Sequence, residues 1–492
     1  MKLRNRLIAG TAVAVVATLG CALPSVVTAS ANPPVTSPLS HVRTWVTDSA
    51  GRVVILHGLN QVYKTAPYEP SADGFGDDDA AFLEANGFNV MRVGVIWSAV
   101  EPTPGHYDDA YLASIKQTVS TLAAHGIVSI LDFHQDLYNE KFQGEGAPAW
   151  AVLDGGLPNP ALGFPFNYFA NPAEDRAWDS FYANAKASDG VGLEDHFAAT
   201  WAHVAATFAS DPGVLGYELL NEPWPGTTWE LCAVPVAGCP AFDKKLTALY
   251  QKVTNAIRTQ DPTHLVWVEP NVLFSYFDAN HLGKINDANV GFAFHDYCPT
   301  TAELGKDIAC STFDSISFAF AMQYPKQKQV PGLLTEFGAT NELSTLSEVE
   351  ALADKNMIGW TEWAYTGNDI TSSSSEGQTL VIDPSQPPTG SNVLTDKLKT
   401  LAEVYPQAVA GTPKAYSYSK GVFTLSYTTA KVSGGLFPTG SETDVAVPAI
   451  QYPGGYKVSV LGGHVVSAPN APMLRIVSNE AIATIKVTVS AA

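Results

Sequence analysis

Two glutamates sit where apolar runs end: Glu222 in Gly216-Tyr-Glu-Leu-Leu-Asn-Glu-Pro-Trp224 and Glu336 in Leu333-Leu-Thr-Glu-Phe-Gly338. Paired carboxylates in unlike surroundings suit cleavage of a glycosidic bond, in which one protonates the leaving oxygen and the other attacks or activates water. Asn221 carries an amide that can donate to a hydroxyl beside the reacting carbon, and Pro223 turns the chain so that Glu222 stays aimed. Trp224 supplies an apolar wall. Desolvation there favours a carboxyl that keeps its proton, so Glu222 is expected to be acid and base. Glu336 must stay ionised to attack, and Arg92, His295 and Tyr297, from other apolar runs, could support it with charge or donated hydrogen bonds. An arginine inside an apolar run is expensive unless paired. Taken singly, each residue also has a plainer reading as a loop acid or a satisfied core group. Glu218, Glu269 and Glu362 are further acids that could be structural or touch substrate.

Such a pair needs a rigid frame. Eight short runs rich in Val, Ile, Leu and aromatics span Val53 to Asn60, Asn89 to Trp97, Val128 to Asp136, Val214 to Glu222, Leu265 to Asn271, Gly291 to Tyr297, Gly332 to Gly338 and Ile358 to Thr366. Helical spacing separates many of them, over Asp77 to Asn86, Asp109 to His125, Leu193 to Ser210, Lys244 to Gln260 and Ser347 to Asn356. Buried parallel strands alternating with helices predict an α/β fold, a TIM (β/α)8 barrel. Working residues of such barrels lie at the carboxyl ends of the strands. Those ends carry His57, Asn60 and Lys64, then Arg92 and Trp97, His134 and Asp136, Asn221 and Glu222, His295 and Tyr297, Glu336, and Trp363. The acidic run Asp77-Asp-Asp79 is expected to open a helix.

After Tyr405 the rhythm changes to alternation in segments such as Val422-Phe-Thr-Leu-Ser-Tyr427 and Ala483-Thr-Ile-Lys-Val-Thr-Val489, which predicts an antiparallel β-sandwich. Ala410-Gly-Thr-Pro413 is the expected hinge, and Ser372 to Gly377 a small polar loop. The expected division is a leader over 1–31, a barrel domain over 32–410 and a sandwich over 411–492.

Hydrophobic residues make up 46% of the 492 and charged ones 15%, so a large core is available. A formal charge of −20, from 28 Lys and Arg against 48 Asp and Glu, argues against nucleic acid and against polybasic docking to anionic lipid. Lys2, Arg4 and Arg6, the apolar Leu7 to Leu19, and small residues through Ala29-Ser-Ala31 have the three parts of a secretory signal. The chain is expected to be exported, with cell-surface attachment through Cys21 as a second choice, and to have no membrane span in its mature part. Cys232, Cys239, Cys298 and Cys310 then read as two disulfides, with three connectivities open and local closure the simplest.

Asn-Glu-Pro after the fourth run and a glutamate after the seventh resemble the retaining barrel glycosidases. Arg92, His134, Asn221, Glu222, His295, Tyr297 and Glu336 together resemble the constellation of glycoside hydrolase family 5. Within it the chain is similar to the bacterial endoglycoceramidases over nearly all its mature length, through Asp132-Phe-His-Gln-Asp136, Gly146-Ala-Pro-Ala-Trp150, Tyr217-Glu-Leu-Leu-Asn-Glu-Pro223, Leu334-Thr-Glu-Phe-Gly338, Thr379-Leu-Val-Ile-Asp383 and Tyr405-Pro-Gln-Ala-Val-Ala-Gly-Thr-Pro413. The resemblance implies retaining hydrolysis between the glycan and ceramide of a glycosphingolipid, with Glu336 as nucleophile and Glu222 as acid and base. It implies that Lys64, His134 and Asp136 bind the sugar next to ceramide, that Asn221 and Tyr297 also contact substrate, that Trp363 is a stacking platform, and that Arg92 and His295 support the pair. It implies no metal and no cofactor; a monomer is expected. The long third connection, 137–192, is rich in aromatics and could form a groove for ceramide tails. The alternatives are the same chemistry on galactosylceramide, glucosylceramide or a β-1,4-linked polysaccharide, and, more remotely, a non-catalytic glycolipid-binding protein.

Overall fold

A computed structural model describes residues 37–233, 237–276, 278–300, 306–366 and 378–492. The leader over 1–31 and the Ser372 to Gly377 loop lie outside the described residues. Eight parallel strands close into a barrel in sequence order: His57–Gln61, Val90–Ile96, Val128–His134, Val214–Glu218, Leu265–Val268, Val290–Asp296, Gly332–Phe337 and Gly359–Glu362. Every strand residue is buried. That is why these strands read as continuous apolar runs and not as alternation.

The expected helices form over Asp77–Ala85, Asp109–Ala124, Leu193–Phe208, Pro240–Arg258 and Leu343–Asn356. Asp79 Oδ2 accepts the Gly76 amide at 2.7 Å, so the acidic run opens its helix as expected. Cys310–Ala321, after the sixth strand, is a helix that the pattern did not single out; its mixture of Ser, Phe and Ala has little polar–apolar contrast. Both local disulfides form, Cys232 with Cys239 and Cys298 with Cys310. Among the described residues, no helix is long and apolar enough to cross a membrane.

One expected strand divides. Val53–Val54 leaves the barrel and pairs antiparallel with Tyr405–Val409, so only His57 onward belongs to the first barrel strand. His57 consequently starts that strand, at the amino end of the barrel, and does not face the site. The C-terminal segments build two antiparallel sheets. One, of seven strands, recruits Ser40–Val42, Trp45–Thr47 and Val53–Val54 from before the barrel; the other comprises Thr412–Ser419, Val422–Thr428, Thr484–Ala491 and Tyr456–Leu461. Burial alternates along Val422–Thr428 and Thr484–Ala491, and Phe423, Leu425, Ile485, Val487 and Val489 fill the space between the sheets. The expected hinge at Ala410 to Pro413 is instead a tight corner from one sheet to the other. Gly411 is required there, because a Cβ would lie 1.9 Å from the Thr428 carbonyl oxygen.

Candidate active site

The carboxyl ends of the strands converge on Arg92, which is fully buried in the second strand. Its Nε donates to Glu218 Oε2 at 2.6 Å, one terminal nitrogen donates to Glu336 Oε1 at 2.5 Å and Asn60 Oδ1 at 3.0 Å, and the other donates to Asn221 Oδ1 at 2.8 Å. Asp132 lies 3.1 Å from that second nitrogen. A buried arginine is tolerated only when so fully paired. One guanidinium thereby sets the positions of the nucleophile candidate and of the asparagine beside the acid candidate.

Glu336 is aimed by an irregularity in its strand. The register against the sixth strand shifts between Leu334 and Glu336, which brings Glu336 alongside His295. Its second oxygen accepts from Tyr297 Oη at 2.8 Å. With Arg92 on one oxygen and Tyr297 on the other, the anion is held in place for attack.

Glu222 has different surroundings. Its backbone has φ of +44°, a costly conformation for a side-chain-bearing residue and one that clusters at working sites. The turn is pinned by Glu269 Oε2, which accepts the Glu222 amide at 3.0 Å, and by Gln135 Nε2, which donates to the Asn221 and Glu222 carbonyls at 2.9 and 3.0 Å. Burial, reinforced by the negative charge of Asp136, pushes the Glu222 carboxyl up to about 7. His295 Nδ1 lies 2.8 Å from Glu222 Oε1 and 3.5 Å from Glu336 Oε2, and burial holds this imidazole down to about 4. It is therefore neutral near pH 7, hydrogen-bonded to Glu222 and not a counter-ion to Glu336. Ligating atoms of Glu222, His295 and Glu336 all lie within 4.8 Å of one another. Retaining glycosidases hold their carboxyl groups about 5–5.5 Å apart and inverting ones about 6.5–9.5 Å, so the spacing suits direct attack.

A cavity of about 160 Å³ opens above the pair. Its wall includes a cluster of Lys64, His134, Asp136 and Trp363. Lys64 Nζ ion-pairs with Asp136 and sits 4.4 Å from the Trp363 ring centroid, while His134 stacks on Trp363 at 5.4 Å. Burial disfavours the His134 imidazolium, but Asp132, 2.7 Å from Nδ1, outweighs it and lifts the group to about 10. Lys64 and His134 in turn hold Asp136 below the usual carboxylate range despite its burial. The other lining residues include Phe164, Phe169, Trp224, Val272 and Leu273.

The structure thus brings together Lys64, Arg92, His134, Asp136, Asn221, Glu222, His295, Tyr297, Glu336 and Trp363. Trp97 turns away, packing among Trp150, Phe181 and Phe197. The third connection divides its aromatics: Trp150, Trp178 and Phe181 pack inward, whereas Phe164, Tyr168 and Phe169 line the cavity. Glu269, open between a structural and a substrate role in the sequence, pins the Glu222 turn, whereas Gln135 and Gln378 have no role assigned from the sequence. Gln135 lies inside Asp132-Phe-His-Gln-Asp136 and was findable there. Gln378, whose Oε1 accepts from Trp363 Nε1 at 3.0 Å, carries no local signal. Glu362 pairs with Lys397 at 2.7 Å, which favours its structural reading.

The model of the family described as Cellulase (glycosyl hydrolase family 5) matches residues 48–369. The chain belongs to glycoside hydrolase family 5. It is accordingly an O-glycosyl hydrolase, and a second model, for the Glycoside hydrolase family 5 C-terminal domain, matches residues 404–489. Within family 5 it is similar to Endoglycoceramidase I of Rhodococcus hoagii (strain 103S), at 33% identity over 462 residues, covering 89% of this chain and 85% of that one. Solved structures of Endo-glycoceramidase II from Rhodococcus sp. share the fold. The lactosyl-enzyme intermediate matches with a TM-score of 0.74 at 28% identity, covering 92% of this chain and all of the other. The ganglioside GM3 complex matches with a TM-score of 0.73 at 26% identity, covering 91% and 99%.

Proposed function

We propose that this family 5 enzyme is a retaining endo-β-glycosidase that cleaves between the glycan and ceramide of glycosphingolipids. The observation that carries the reading is the two-faced cavity. Lys64, His134 and Asp136 cluster with the Trp363 platform in its wall, and Phe164, Phe169, Trp224, Val272 and Leu273 supply an apolar lining. A sugar joined to a lipid has that same division.

In the proposed reaction Glu336 attacks the anomeric carbon as the protonated Glu222 gives its proton to the glycosidic oxygen, so the carbon–oxygen bond to ceramide breaks while the bond to Glu336 forms. Glu222, now ionised, takes a proton from water, which displaces Glu336 and releases the glycan with its configuration retained. Asn221, held by Arg92, can donate to the hydroxyl beside the reacting carbon. The proposal includes export from the cell, which agrees with two disulfides in the described chain, and a monomeric state.

Lactosylceramide, galactosylceramide, a ganglioside and a soluble β-1,4-glucan, offered separately, test the reading. Free ceramide together with an intact glycan is expected from lactosylceramide or the ganglioside. Turnover of the glucan alone would overturn the substrate class. N-terminal sequencing of protein recovered from culture medium tests export; a chain that still begins at Met1 would refute leader removal.

A further inference from the structure

Three buried acids and a buried histidine meet where the barrel joins the C-terminal sheets. His57 opens the first barrel strand, Glu350 and Asp354 lie one turn apart on the helix Leu343–Asn356, and Glu403 precedes the sheet strand Tyr405–Val409. One ligating atom from each of His57, Asp354 and Glu403 falls within 4.8 Å of the other two, and His57 Nδ1 is 3.6 Å from Glu403 Oε1. Glu350 lines the same cavity as Asp354 and Glu403.

Acids alone would say little, because neighbouring carboxyl groups can share protons. His57 distinguishes this cluster. It is 1% exposed and clamped between the rings of Tyr405 at 3.7 Å and Trp360 at 4.4 Å, so its direction is fixed by packing. Among the described residues no hydrogen bond reaches either of its ring nitrogens, although buried polar atoms are ordinarily satisfied. Burial also holds the imidazole well below its usual range, so it stays without the proton that would make it a counter-ion to the acids. Nor, among the described residues, does any lysine or arginine ion-pair with Glu350, Asp354 or Glu403. A neutral imidazole thus faces two carboxyls at ligating distance, and the cluster lacks a cation.

We infer that His57, Asp354 and Glu403 form a binding site for a divalent transition-metal cation, best Zn²⁺, that staples the barrel to the C-terminal sheets. An imidazole beside carboxylates suits such an ion, whereas Ca²⁺ and Mg²⁺ take oxygen ligands. Zn²⁺ holds nitrogen and oxygen donors at about 2.0–2.2 Å in a tetrahedron, which sets neighbouring donors about 3.4 Å apart, close to the separation of His57 and Glu403. A cavity of about 670 Å³ beside Asp354 and Glu403 provides the entry path and room for a water to complete the coordination. In the metal-free chain the carboxyls hold protons, which the ion replaces. The role is structural, because the site lies at the opposite end of the barrel from Glu222 and Glu336 and its ligands come from a barrel strand, an outer helix and the lead into a sheet.

Equilibrium dialysis of the EDTA-stripped full chain against Zn²⁺ at pH 7.5 tests the site. One ion should bind per chain, and a hundredfold excess over Kd should raise the melting temperature by about 3 °C. An Asp354→Asn/Glu403→Gln variant, which keeps the shapes of both side chains, should bind at least about a hundredfold more weakly, lose that rise, and hydrolyse lactosyl fluoride at the parent rate. His57→Phe keeps the ring stack and should weaken binding in the same way, so the site stays testable if the double variant does not fold. Binding of less than one ion per chain, equal binding by parent and variants, or equal stabilisation by Ca²⁺ would overturn the inference. So would an ion that inhibits lactosyl fluoride hydrolysis and persists in the variants, since it would lie at the catalytic end, where ligating atoms of Glu222, His295 and Glu336 also converge.

Discussion

Two clusters of buried acids lie at opposite ends of the barrel. At the carboxyl end, Asp132, Glu218 and Glu336 surround Arg92, and Glu222 stands beside them under an open cavity. At the amino end, Glu350, Asp354 and Glu403 lie near His57, where the helix Leu343–Asn356 meets the sandwich strand Thr412–Ser419. Lys355, Lys399, Lys414 and Lys420 line the cavity there, yet among the described residues none forms an ion pair with the three acids. Burial pushes all three carboxyls up, Asp354 to about 7, and holds the His57 imidazole well down. The contrast lies in compensation. A buried arginine pairs with one set of acids and fixes their positions, although burial still lifts Glu218 to about 7, whereas the other set is raised by burial with no lysine or arginine partner and is suited to joining two parts of the fold.

The comparison breaks most clearly at the nucleophile. Glu336→Ser should lower hydrolysis of the natural substrate by at least about 10⁴-fold while allowing glycosyl transfer from an activated fluoride donor. Ordinary turnover by that variant would refute the assignment. Glu222→Ala should cost about 10²–10⁴-fold on substrates with a poor leaving group and far less on lactosyl fluoride, in paired kcat/KM measurements. Equal losses on both would argue against an acid role.

Arg92→Met removes the shared cation and should destabilise the protein by about 3–5 kcal/mol in denaturant unfolding, because several carboxylates lose their buried partner. Retained stability would show that the acids are compensated in some other way.

pH separates the two ends more gently. Glu222 is protonated below about 7, so the catalytic rate should fall as pH rises through that value, and a limb unmoved by Glu222 substitution would assign the titration elsewhere. At the amino end the sign follows from pKa values raised on folding. The stabilising effect of the protonated carboxyls is complete below the unfolded value, about 4, and is lost as pH rises through about 7. Melting temperature should decline over that window, and Asp354→Asn should flatten the decline with little effect on kcat. An unchanged slope would remove Asp354 from the linkage.

Much of this was legible in the chain. Continuous apolar strands closed by polar residues, and alternation after Tyr405, announce a barrel and a sandwich because burial on two faces and on one face leave different periods. Asn221-Glu222-Pro223 and Glu336 announce the chemistry, since few other arrangements place such acids at strand ends. The His57 placement was not legible. Val53 through Asn60 is apolar throughout, and only pairing with Tyr405–Val409, which comes more than three hundred residues later, decides that its first part leaves the barrel.

Residue types and strand-end positions therefore determined the fold class and the candidate pair by sequence alone, because periodicity and side-chain chemistry are local. Tertiary structure supplied what keeps the proton on Glu222, since burial and the charge of Asp136 beside it come from packing and from a different strand end. It also decided the partners of Arg92, the spacing of the two carboxylates, and which aromatics of the third connection face the cavity. Each of these depends on distances between segments far apart in the chain.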